Sequence, residues 1–295
     1  MLVEALLAFY LPLLLGIAYG RLRRPGDAEL TYLSRLILYL LLPFLLFRST
    51  YAKASLGVTL ESLSLPLLAS LIVLASGAAA HLAFKGRVEE VMTTMYSNAG
   101  YLPLAVALPL WGEPGVADVG FYILGNNTTA NAAIPLLSSR GDWRAGLRKL
   151  AFFAPLYGIV AGTLLGALHV PVPGAVITAA RYMGDAAPTM ALIVLGLEFS
   201  RSLSLSRRGV ETYLLHMAVA APLVAAFARL GLLPSPLEFK VALLEALMPS
   251  AVSNVVLARE FGLDAGEVSE IVVTSTLLAS FTSIPAFLVW ASLWA

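Results

Sequence analysis

The chain holds five asparagines, Asn98, Asn126, Asn127, Asn131 and Asn254, and no glutamine. All five fall within long apolar runs, where a buried amide without partners costs roughly 1 to 3 kcal/mol. Amides kept at that cost point to a polar site that a solute meets. The plainer reading is hydrogen-bonded glue between helices, which uses the same residue types. Two of the five lie in helix-breaking segments, Ser97-Asn98-Ala99-Gly100-Tyr101-Leu102-Pro103 and Met248-Pro249-Ser250-Ala251-Val252-Ser253-Asn254. In hydrocarbon every backbone N–H and C=O needs a partner, so a broken helix is tolerated only where it is buried in protein or lines a cavity. The candidate substrate-binding residues are therefore Asn98, Gly100, Pro103, Pro249, Ser250 and Asn254. Asn127 and Asn131, four apart and on one helix face, join them.

Ionisable groups in the apolar runs are the candidates for moving a coupling ion. Glu245, one turn before Pro249, is the first choice and Asp185 the second, although Asp185 also reads as a helix cap. Glu198, Glu211 and His216 lie nearer the other side of the membrane, and His216 reads as a hydrogen-bonded packing residue. With no Cys and only His81, His169 and His216, widely separated, there is no thiolate site and no local metal motif. No Ser/His, paired-Asp or HExxH arrangement stands near the middle of a run, so the chain does not read as an enzyme. Without a Walker or GxGxxG motif no nucleotide cofactor is implied, and the open choices are coupling to H+, coupling to Na+ and uniport.

The rest of the chain is a vehicle for the bilayer. Of 295 residues 59% are apolar and 13% charged, about half the charge of a water-facing domain, with a mean hydropathy of +0.85. Net charge is +1, and no basic cluster exceeds Arg21, Arg23 and Arg24, which excludes nucleic acid as a partner. Ten runs approach the roughly 20 residues that a helix needs to cross about 30 Å of hydrocarbon. Their cores are Leu2 to Gly20, Tyr32 to Phe47, Ser62 to Phe84, Val91 to Trp111, Gly115 to Leu137, Leu150 to Leu168, Ala175 to Phe199, Val210 to Leu233, Leu237 to Ala258 and Val268 to Trp294. The first lacks a basic leader and a small-residue cleavage site, so it reads as a retained helix. Odd-numbered loops carry thirteen basic residues against five for the even-numbered ones. By the positive-inside rule the odd loops are cytoplasmic and both termini lie outside.

Prolines reveal a duplication. Pro12 pairs with Pro155, Pro43 with Pro188, Pro103 with Pro249 and Pro135 with Pro285, at offsets rising from 143 to 150. Five helices per unit is an odd number, so the second unit enters the membrane upside down, an arrangement found in many secondary transporters. The expected fold is all-α: a polytopic membrane protein of ten transmembrane helices in two inverted five-helix repeats, residues 1–140 and 141–295. The broken helices 4 and 9 cross at mid-membrane. Gly158, Gly162 and Gly166, echoed by Gly16 and Gly20, read as close helix contacts, within a protomer or between protomers.

Several stretches resemble the auxin efflux carrier family. They are residues 33–44, the Asn98 to Leu104 break, Gly184-Asp-Ala-Ala-Pro188 through Gly196, and Met248-Pro249 through Gly262 continuing to Thr276 and Pro285. The resemblance implies the crossover of broken helices, rocking of a scaffold against a transport domain, and a small organic acid as substrate. A homodimer in the cell membrane is compatible with it. The plant carriers have a long central cytoplasmic loop, whereas the connection from Ser138 to Arg148 is short. The fold also looks like that of the bile acid/sodium symporters. The reading from sequence is a secondary carrier of a small carboxylate; the alternatives are a sodium-coupled symporter and a passive channel.

Overall fold

Proline and small residues decide where this chain bends and where it packs. The computed structural model describes residues 2–57, 63–137, 144, 148, 151–201 and 205–293. These form α1 (Leu2–Arg23), α2 (Asp27–Leu36), α3 (Leu42–Ser55), α4 (Ser64–Ala83), α5 (Val88–Met95), α6 (Tyr101–Leu137) and α7 (Ala154–Ala167). The order continues with α8 (Gly174–Arg201), α9 (Arg207–Arg229), α10 (Pro236–Ala246), α11 (Ser253–Phe261), α12 (Ala265–Leu278) and α13 (Ile284–Leu293). Among the described residues the fold is all-helical apart from one isolated antiparallel bridge. The expected boundary between repeats, at 140/141, lies outside the described residues.

Among the described residues, five helices are long and apolar enough to cross a membrane: Leu6–Arg23, Ala28–Ser55, Ser64–Ala83, Arg207–Arg229 and Ala265–Leu293. Other apolar runs are cut short for visible reasons. The fourth and ninth are broken into α5 with the start of α6, and α10 with α11. The helix α6 turns sharply at Gly112, whose φ of +60° and ψ of −149° exclude a side chain with a Cβ. Two spans continue through π-turns, Ile37–Leu41 just before Pro43 and Ala279–Ser283 just before Pro285. Proline lacks an N–H and crowds the carbonyl four residues back, and a widened turn accommodates both defects.

The helices pack through glycine. A Cβ on Gly158, Gly162 or Gly166 of α7 would overlap the backbone of Pro43, Phe47 or Tyr51 on α3, at matching four-residue intervals. Gly16 of α1 meets Ile193 and Gly196 of α8, while Gly20 meets Ser200. These glycine stripes therefore join helices of one protomer. Large apolar side chains point the other way: Leu7, Leu11, Leu14 and Leu15 of α1 and Leu67, Leu71 and Leu74 of α4 are exposed. An outward face of leucine over an interior of small residues suits a lipid surround, because association there comes from close packing.

Two packing groups result. The helices α1, α3, α7 and α8 form one, and α4, α5, α9, α10, α11 and α12 form the other, with α6 touching both. Ion pairs sort the loop ends. Arg48 holds Glu113 at 3.0 Å and Asp185 at 2.8 Å, while Lys53 pairs with Asp118 and Glu238, all from even-numbered loops or their edges. Arg87 bonds Glu90 at 2.9 Å and Glu267 at 3.0 Å, and Arg208 joins both acids, all from odd-numbered loops. Odd and even loops thus gather in separate clusters.

Gly196→Val should push α1 from α8 and cost about 1 to 3 kcal/mol by overpacking. Thermal unfolding of the detergent-solubilised protein measures this. Gly174→Ala, whose added Cβ meets nothing within 4 Å, should leave the midpoint in place.

Candidate functional site

Where α5 stops, Tyr96 turns into extended backbone with φ −104° and ψ 94°. On the other side α10 ends at Ala246, and the chain is non-helical until Ser253. The two breaks lie against each other and exchange the hydrogen bonds that their helices gave up. Ser97 and Ser250 form an antiparallel bridge, with Asn98 N–H donating to the Pro249 carbonyl at 2.7 Å and Ala251 N–H to the Tyr96 carbonyl at 2.9 Å. Ser250 N–H also donates to Ser275 Oγ at 3.3 Å.

Asparagine side chains complete the crossing. Asn98 Oδ1 accepts from Tyr101 N–H at 3.1 Å and so caps the start of α6. Asn254 Nδ2 donates to the Tyr96 carbonyl at 3.0 Å and to Ser250 Oγ at 2.9 Å, fastening the α11 half to the opposite break. Its Oδ1 is buried without a partner. From α6, Asn126 Nδ2 donates to the Ser97 carbonyl at 3.2 Å and to Asn127 Oδ1 at 3.1 Å. Asn131 Nδ2 donates to the Asn127 carbonyl at 2.8 Å and to the Tyr96 hydroxyl at 3.4 Å. All five asparagines therefore meet in one network with Ser97, Pro249 and Ser250.

A cavity opens beside the crossing. Ser34 and Ile37, Asn98 and Tyr101, the Ala191, Leu192, Val194 and Leu195 face of α8, Glu198 and Val252 line it, so both packing groups contribute walls. Its volume is about 30 Å³, room for one or two waters. A side chain at Gly100 would meet nothing within 4 Å, so the backbone there borders open space. The beginnings of α6 and α11 stand beside the cavity through Tyr101, Leu102 and Val252. Helix N-termini direct N–H groups and the positive end of a dipole outward. Among the lining residues Glu198 is the one charged side chain, and it adds a carboxyl to this otherwise electropositive corner.

The sequence-derived site residues fall into three places. Asn98 borders the cavity, with Gly100 next to it in the break. Asn127, Asn131, Pro249, Ser250 and Asn254 build the crossing behind it, and Pro103 follows on the first turn of α6. Glu245 is wholly buried on α10 outside the cavity, and neither of its carboxyl oxygens has a hydrogen-bond partner. Asp185 is half-exposed and ion-paired with Arg48, and with Arg181 at 3.7 Å. His216 is buried with Nδ1 2.9 Å from the Thr94 carbonyl. Sequence reasoning gave no place in the site to Ser34, Tyr101 or Glu198. For Glu198 a signal existed: it shares a helix face with Ala191, Val194 and Leu195, but nothing local tells which break that face meets.

Comparison with known proteins agrees in kind. Residues 143–287 match the family described as membrane transport protein. An uncharacterized transporter of Methanothermobacter thermautotrophicus is 28% identical over 292 residues, covering 96% of each chain. An uncharacterized transporter of Methanocaldococcus jannaschii is 28% identical over 262 residues, covering 83% of this chain and 84% of the relative.

Asn254→Ala removes two buried hydrogen bonds and leaves the Tyr96 carbonyl without that donor. A loss of about 1 to 3 kcal/mol should follow, read as a lower thermal midpoint in detergent. Asn254→Asp is expected to lose a similar amount, because a carboxylate cannot donate to either acceptor.

Proposed function

We propose that this chain, similar to two uncharacterized transporters and, over residues 143–287, to the membrane transport proteins, is a secondary carrier moving a small organic anion by alternating access. The observation that carries this reading is the cavity beside the crossing, walled by both packing groups and flanked by two helix starts. A carboxylate bound there meets the Asn98 amide and backbone N–H groups in place of a salt bridge, since neither Lys nor Arg lines the cavity. Asn254, Ser250, Asn127 and Asn131 hold the two breaks in register, and Gly100 and Pro103 keep backbone exposed to the solute.

About 30 Å³ is far below the roughly 300 Å³ at which ligand pockets begin, so this conformation is the closed one. The group of α1, α3, α7 and α8 serves as scaffold, and the group containing α4 and α9 to α12 serves as the moving part. In this reading the two five-helix units, 1–140 and 141–295, are inverted repeats, both termini face outside, and the host bilayer is the cell membrane. The carrier works as a monomer or homodimer.

Glu198 constrains the driving force. An anion entering beside a carboxylate is repelled unless that carboxyl is neutralised, so substrate travels with a cation, H+ or Na+. A passive channel, the rival reading, would give currents that do not saturate with solute.

Uptake of radiolabelled malate, malonate and indole acetate into proteoliposomes under an imposed pH or sodium gradient tests the reading. Saturable uptake that Asn98→Ala lowers by at least about tenfold, the equivalent of some 1.4 kcal/mol, is the expected result. Equal uptake by folded wild type and Asn98→Ala would remove Asn98 from the site. Transport of none of these acids by folded wild type would overturn the organic-anion assignment.

A further inference from the structure

The seam between α6 and α10 holds acidic and phenolic side chains that the crossing does not use. Asp118, Tyr122 and Asn126 recur every four residues along α6 and so lie one above another. Glu238 and Glu245, seven apart, share a face of α10, and the two helices pack directly. At the end of the seam far from the crossing, Lys53 of α3 pairs with Asp118 and lies 3.4 Å from Glu238, 5.6 Å above the Phe121 ring. Tyr122, one turn inward on α6, and Glu245, two turns inward on α10, are both fully buried. Neither the phenol oxygen nor either carboxyl oxygen has a hydrogen-bond partner. A further turn inward Asn126 bonds Ser97 in the crossing itself.

In this conformation an unpartnered carboxyl in such a place is accommodated as the neutral acid, and even then it costs stability. Leucine would pack the same space without that cost, so the group is explained by use and not by architecture. No other titratable group satisfies it. The helix α9 brings Tyr213, whose hydroxyl donates to the Leu247 carbonyl and Ser283, and His216, which is engaged by Thr94. It ends in Arg229. The helix α13 carries no titratable residue, α6 brings Asp118 and Tyr122, and α3 brings Lys53 at the mouth of the seam. Lys240 is the remaining charged residue on α10 itself.

We propose that this seam is the coupling-proton path of the carrier. Glu245 holds the proton, the Tyr122 hydroxyl passes it, and the Lys53–Asp118–Glu238 cluster exchanges it with the aqueous side. The inference rests on the carrier reading and specifies its coupling ion as H+. Each inward transfer is balanced: an acid of the cluster gives a proton to the Tyr122 oxygen as Tyr122 gives its own to the Glu245 carboxylate, leaving the phenol unchanged. Rotation of the hydroxyl, or a bridging water, closes the steps that direct contact does not.

The test uses the full-length protein in liposomes. Infrared difference spectra recorded during an alkaline titration should show a carboxylic-acid C=O band that Glu245→Gln deletes. Glu245→Asp should shift that band, and it replaces the Gln variant if the latter does not fold. Tyr122→Phe should slow the band's response to a pH jump without removing it. In malonate uptake, Glu245→Gln should lose the acceleration produced by an imposed proton gradient. A wild-type spectrum without a Glu245 band, or a Glu245→Gln protein that keeps its full response to the gradient, would overturn the proposal. If wild type moves no carboxylate, the carrier reading fails, and the titrating band still decides whether the seam takes a proton.

Discussion

The exchange of two backbone hydrogen bonds between Tyr96–Asn98 and Pro249–Ala251 is the contact on which the rest depends. A helix broken in hydrocarbon leaves N–H and C=O groups that neither lipid nor water can satisfy there. Here one break satisfies the other in the manner of a two-residue β-ladder, and the amides of Asn126 and Asn254 take up the carbonyls of Ser97 and Tyr96. The arrangement leaves two helix starts beside one small cavity, so in the proposed carrier the same defect that demands repair supplies the place where the anion binds. Structure and proposed function draw on one set of groups.

The glycine seams make such a centre affordable. Close contact of α7 with α3 and of α1 with α8 removes side chains from the interfaces and lets backbones meet, which is how helices attract one another without a hydrophobic effect between them. Few polar atoms are then needed away from the crossing. Of the charged groups away from it, the Arg48 and Lys53 pairs and the Arg87–Arg208 cluster have their charges matched, whereas Glu245 is buried without a partner.

Much of this was legible in the sequence because its signals are local. Apolar length, the Asn98 and Pro249 breaks and the four-residue glycine spacing each need only a few consecutive residues to be read. Placing two breaks at the same depth brings Asn98 and Asn254 together, whereas the approach of Asn126, Asn127 and Asn131 depends on the rotation of α6. Glu198 and Tyr101 could not be placed that way, since their meeting with Asn98 depends on the rotation of α8 against α6. Asp185 illustrates the converse. An acid within an apolar run looks available for coupling, but Arg48 lies 137 positions earlier, and no local pattern announces that pairing. The π-turns before Pro43 and Pro285 were likewise invisible: proline marks a defect without saying how the chain absorbs it.

One further consequence belongs to the salt bridges at the α3 end. Arg48 with Glu113, and Lys53 with Asp118 and Glu238, bind a helix of one packing group to α6 and α10, whereas the Arg87–Glu90–Arg208–Glu267 cluster joins α5, α9 and α12 within the other. In an alternating-access cycle, parting the α3 end means rehydrating several buried ions. The hydration of charge becomes less favourable as temperature rises. Heat therefore strengthens this clasp relative to the apolar contacts around it, and in the proposed carrier the balance between the two faces would acquire a built-in thermal bias.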